Sequence, residues 1–78
     1  MSDKINIFGV ILFHTNSSAL RAEKILLKNE LTVKLVPTPR EFSSDCGVAL
    51  RFIWNDDSRV RGLLNSANVE IASIHEMP

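Results

Sequence analysis

Two short polar clusters, Thr15-Asn16-Ser17-Ser18 and Asn55-Asp56-Asp57-Ser58, constrain the fold of this chain more than any other feature. Ser, Thr, Asn and Asp are the side chains that accept hydrogen bonds from the unpaired amides at the start of a helix. Each cluster follows an apolar run and precedes a stretch of helical periodicity. At these two points the hydrophobic pattern changes from that of a strand to that of a helix, which sets the order of everything else.

The first apolar run, Ile5 to His14, is β-branched and aromatic with no polar alternation, as in a central strand buried on both faces. The helix after it extends to about Asn29, with Ala19, Ala22 and Leu26 on one face flanked by Leu20, Ile25 and Leu27. Leu31 to Val36 alternates, placing Leu31, Val33 and Leu35 on one side and Thr32 and Lys34 on the other. Pro37 and Pro39 then interrupt strand pairing. Val48 to Trp54 forms a third strand with Val48, Leu50 and Phe52 on one face. A second helix carries Val60, Leu63, Leu64 and Ala67 at i, i+3, i+4 and i+7, and Val69 to His75 reads as a fourth strand at an edge.

The order β-α-β-β-α-β predicts an α+β domain of the ferredoxin-like type, a four-stranded antiparallel sheet with two helices on one face, the core running over about residues 5–76 of a single domain 1–78. Right-handed crossovers bring the first and third strands together, antiparallel, in the middle of the sheet. The end of the first strand at His14 then lies near the start of the third at Cys46 and Gly47, beside the start of the first helix and the end of the second strand at Pro37. The face without helices is expected to expose Ile11, Phe13 and Ile53 around Arg51, a surface that a second copy of the chain would cover.

Composition narrows the function. Nine basic and nine acidic residues cancel, and Arg40, Arg59 and Arg61 have acidic neighbours in sequence, so the basic stripe of a nucleic-acid binder is missing. Ile7 to Phe13 is far too short an apolar run to cross a bilayer, and Asp3 and Lys4 are unlike the start of a secretory signal. The chain has one cysteine, which suits a reducing cytoplasm. His14, His75 and Cys46 are too few and too scattered for an intrachain metal site, and three glycines form no phosphate-binding loop. No metal and no cofactor is expected.

Chemistry therefore concentrates on Cys46, in the run Pro37-Thr38-Pro39-Arg40-Glu41-Phe42-Ser43-Ser44-Asp45-Cys46-Gly47. A thiol reacts as thiolate, which a helix N-terminus or a cation such as His14 or Arg40 favours and Asp45 disfavours. Packing beneath the loop is the competing account of Cys46. Glu23 is the second irregularity, a carboxylate inside the apolar arc of the first helix that needs Arg40, Arg51 or solvent as a partner. Ser43 and Ser44 have no activating base in sight. Two readings stay open: a thiol-based carrier, and a non-catalytic ligand- or protein-binding module that dimerises through its sheet. A metal shared across a dimer by Cys46 and His14 is a weaker third.

Two segments carry a resemblance. Ala19-Leu20-Arg21-Ala22-Glu23-Lys24-Ile25-Leu26, and more specifically Pro37-Thr38-Pro39-Arg40 followed by Ser43-Ser44-Asp45-Cys46-Gly47 and Ala49-Leu50-Arg51-Phe52, resemble the putative selenium/sulfur carrier protein-like family over roughly Ile7 to His75. Phe42 stands where an aliphatic residue is expected. The resemblance implies a small carrier, more an accessory protein than a turnover enzyme, that holds sulfur or selenium on Cys46 as a persulfide or selenopersulfide. Arg40, Ser43, Ser44, Gly47 and Arg51 would be the motif neighbours of the thiol. Its implied partners are a donor of the cysteine desulfurase or selenocysteine lyase type and an acceptor protein.

Overall fold

In the computed structural model, residues 7–42 and 47–77 are described. They form strand β1 (Phe8–Leu12), helix α1 (Asn16–Lys28), strands β2 (Val33–Pro37) and β3 (Val48–Ile53), a 3-10 turn over Trp54–Asp56, helix α2 (Asp57–Ser66) and strand β4 (Ser73–Met77). The sheet order is β2-β3-β1-β4 with every neighbour antiparallel, so β1 and β3 are central as expected. This is the ferredoxin-like α+β arrangement. No described helix is long and apolar enough to cross a membrane.

The polar clusters act as the sequence indicated, with one refinement. Thr15 caps α1, its Oγ1 accepting from the Ser18 amide at 3.1 Å. In the second cluster Asp56 stands at the cap position without a side-chain bond to the helix, and a 3-10 turn leads in instead.

Both helices stop by the same device, which no glycine advertises. Glu30 and Asn68 take left-handed backbone angles, with φ of 66° and 58°. The Leu31 amide then reaches back to the Leu26 carbonyl, and the Val69 amide to the Leu64 carbonyl, each at 3.0 Å. These are Schellman closures, and the apolar residue after each, Leu31 and Val69, is buried against its helix.

The second closure explains why β4 is Ser73–Met77 and not Val69–His75. Val69 is spent on stopping the helix, and pairing with β1 begins at Ser73, opposite Leu12. β1 likewise ends at Leu12, and Phe13 beyond it is buried in the core. Trp54 leaves β3 for the 3-10 turn.

The main core lies between the sheet and the helices. Ile11, Leu50 and Phe52 from the central strands, and Phe13 just past β1, meet Ala19, Ala22 and Leu26 of α1 and Val60 and Leu64 of α2. Leu20 and Leu27, read as flanking the α1 stripe, are half exposed at 53% and 50%. Gly9 is required for this packing, because a Cβ there would meet the Phe52 ring at 2.5 Å and the Trp54 ring at 2.6 Å. The two rings, 5.8 Å apart, lie across the glycine.

The opposite face differs from expectation. Val10 pairs with Arg51 and Leu12 with Ala49, so Phe8, Val10 and Leu12 share this face with Arg51. Ile11 and Phe13 belong to the helix side, where both are fully buried. An apolar run without alternation does not reveal which residues face which way; cross-strand register decides it. Val10, Leu12 and Ala49 form a second small core, covered by Phe42 from the chain itself.

Candidate functional site

One end of the sheet gathers the segments that the motif joins. β1 ends there at Leu12, paired with Ala49 on one side and Ser73 on the other, and β2 ends at Pro37 opposite Val48. Pro37 is tolerated because it closes an edge strand. The Thr38 amide donates to the Gly47 carbonyl at 3.1 Å, drawing together the two ends of the segment between β2 and β3. The start of α1, after His14 and Thr15, follows directly from the end of β1. The predicted convergence of strand ends and helix start is present.

Within that segment the first arm is ordered by a turn. The Phe42 amide donates to the Pro39 carbonyl at 3.0 Å, with Arg40 and Glu41 at the turn's exposed centre. The chain thereby turns Phe42 onto the sheet face that lacks helices, over Val10, Leu12 and Ala49, with Val36 and Met77 at the margins. Its ring stacks on His75 of β4, centroids 4.2 Å apart and planes 17° from parallel. His75 is held in turn through Nε2, 2.9 Å from the Ser73 hydroxyl. The four residues that follow, Ser43, Ser44, Asp45 and the thiol-bearing Cys46, lie outside the described residues.

Gly47 is exposed, and a Cβ built on it meets no described atom within 4 Å. Its backbone is not left-handed either. The described residues therefore place no steric demand for glycine at this position.

The remaining candidates separate. Arg51 lies four residues up β3 from Gly47, roughly 13 Å along an extended strand. It sits in the row Lys34–Arg51–Val10–His75, with its guanidinium 4.7 Å over the Phe8 ring. Arg40 is exposed in the turn, and His14 is exposed at the exit of β1. Glu23 is half-buried on α1 and forms no ion pair with Arg40 or Arg51; Arg51 occupies the other side of the sheet. Among the described residues, no three His, Cys, Asp or Glu side chains gather as a metal site would require.

Phe42, His75 and Ser73 were missed as a group by reading the sequence. The one available signal was the aromatic residue at position 42 where an aliphatic was expected. His75 looked like an ordinary strand-end residue, because only the β1–β4 pairing brings it under the loop.

The family model described as putative Se/S carrier protein-like matches residues 8–76, nearly the whole chain, and the chain belongs to that family. No curated protein and no solved structure matches it.

Proposed function

We propose that this member of the putative Se/S carrier protein-like family receives sulfur or selenium on the Cys46 thiol and passes it on. The observation that carries the reading is the family match over residues 8–76, which runs through the Pro37–Gly47 segment and into β3. The anchoring on both sides of the cysteine supports it: the Thr38–Gly47 bond closes the segment, and Phe42 fixes its first arm to the sheet.

The exchange needs no oxidant. The Cys46 thiolate attacks the terminal sulfur of a donor cysteine persulfide, forming a new S–S bond at Cys46 as the donor's S–S bond breaks. The donor leaves as thiolate and Cys46 becomes the persulfide; selenium transfers in the same way. Delivery is the reverse step on an acceptor. Arg40, the one cation of the turn, supplies positive charge near the motif. The open space at Gly47 suits the approach of a partner's backbone. Ser43 and Ser44 complete the motif as neighbours of the thiol.

Incubation with a cysteine desulfurase and cysteine, or a selenocysteine lyase and selenocysteine, should add one sulfur or selenium atom to the intact mass. Cys46→Ser should take up none and keep its fold. An unmodified mass, in a reaction that loads an established carrier in parallel, rules this function out.

A further inference from the structure

Phe42 covers only half of the sheet face without helices. No described residue is packed over the other half, around Phe8, Thr32, Lys34, Arg51 and Ile53, and its charge among the described residues is one-sided. Lys34 and Arg51 are direct cross-strand partners. Like charges placed opposite each other on a sheet cost stability. Both side chains are exposed and neither has a carboxylate partner among the described residues, whereas Arg21, Arg59 and Arg61 each bond within the chain. Among the described residues, no strand position on this face carries an acid. Glu76 is opposite Gly9 and so belongs to the helix-side row. A chain with no net charge thus presents a local cationic pair.

The shape of the pair matters as well. Phe8, Thr32, Val33, Lys34, Arg51 and Phe52 line a dent of about 30 Å³. That is space for one or two water-sized groups, too little for a substrate molecule. The Arg51 guanidinium lies over the Phe8 ring, 4.7 Å from its centroid, which ties the cation to this half of the face. A guanidinium is suited to bidentate capture of a carboxylate. Half-buried Phe8 and Ile53 supply apolar surface beside the charge.

We propose that this half-face docks an acidic segment of a partner protein, with one carboxylate seated between Lys34 and Arg51 and an adjacent apolar side chain against Phe8. That the partner is the protein exchanging sulfur or selenium with Cys46 rests on the carrier reading; the docking chemistry does not.

The test uses the full chain, reduced and without any sulfur donor, so its result is independent of whether Cys46 can be loaded. The probe is a fluorescein-labelled peptide of alternating Glu and Leu, against a control with every Glu replaced by Gln, followed by anisotropy and by backbone amide NMR shifts. The acidic peptide should bind, the Gln control should not, and shifts should centre on Lys34, Arg51 and Phe8. Lys34→Gln and Arg51→Gln should each weaken binding roughly three- to fivefold, the range of exposed charge pairs. Lys34→Glu should abolish binding while raising the melting midpoint by about 2–4 °C, since it turns a repulsive cross-strand pair into an attractive one. Three results overturn the proposal: equal binding by wild type and Arg51→Gln, no binding of the acidic peptide, or sodium sulfate displacing the peptide better than sodium chloride of equal ionic strength. The last would make the dent a site for small oxyanions.

Discussion

The two faces of the sheet are covered by unlike means. On one, two helices bury Ile11, Phe13, Leu50 and Phe52 completely or nearly so. On the other, among the described residues, Phe42 from a connecting segment packs over Val10, Leu12 and Ala49, with Val36 and Met77 beside it. The helix side holds the fold together, since most of the large buried side chains lie there. The loop side ties the motif segment to the sheet. Damage to the first should unfold the domain, and damage to the second should free the segment while the domain survives.

The strongest test of that contrast is Phe52→Ala. Truncating a buried phenylalanine costs about 3–5 kcal/mol, comparable with the entire net stability of a domain this small. Denaturant titration should find the variant largely unfolded in buffer. A folded variant with a midpoint near wild type would mean that the helix side is not the main support.

Phe42→Ala should have a smaller and more local effect. Its partly buried ring and the stack on His75 are worth about 1–2 kcal/mol. The variant should stay folded, with NMR shifts centred on residues 36–47, Val10, Leu12, Ala49, His75 and Met77. The rate at which a thiol reagent modifies Cys46 should change by more than the loss in stability explains. Global unfolding, or an unchanged thiol rate, would erase the distinction between the two faces.

Gly47→Ala should change least. With open space at its Cβ and an ordinary backbone, stability should stay within about 0.5 kcal/mol of wild type. A loss of sulfur or selenium loading in this stable variant would locate the demand for glycine in the partner's approach. Loading at the wild-type rate would remove Gly47 from the proposed site.

The candidate site was only partly legible in the sequence. Strand order and the convergence near Pro37 and Gly47 follow from the pattern of elements, since the β-α-β-β-α-β order with right-handed crossovers leaves few arrangements. The partners of Glu23 did not follow. Arg51 is excluded by the phase of β3, which puts it on the far side of the sheet. Of the residues expected on the bare face, Ile53 shares it with Arg51, whereas Ile11 and Phe13 are buried on the helix side. No described residue covers the Arg51 end, and Phe42 packs over the Leu12 end, its return to the sheet helped by a turn bond between Pro39 and Phe42.

The sequence by itself determined the elements and their order, because capping side chains, prolines and hydrophobic period act over a few residues. It also singled out Cys46, Gly47 and Arg40. Only the tertiary structure decided which side of β1 faces the helices, because a strand apolar on both sides has no phase until its neighbours pair with it. The same pairing set Lys34 against Arg51 and brought His75 beneath Phe42, joining residues 17 and 33 positions apart in sequence into one face. Contacts between strands distant in the chain are fixed by register, and register is a property of the assembled sheet.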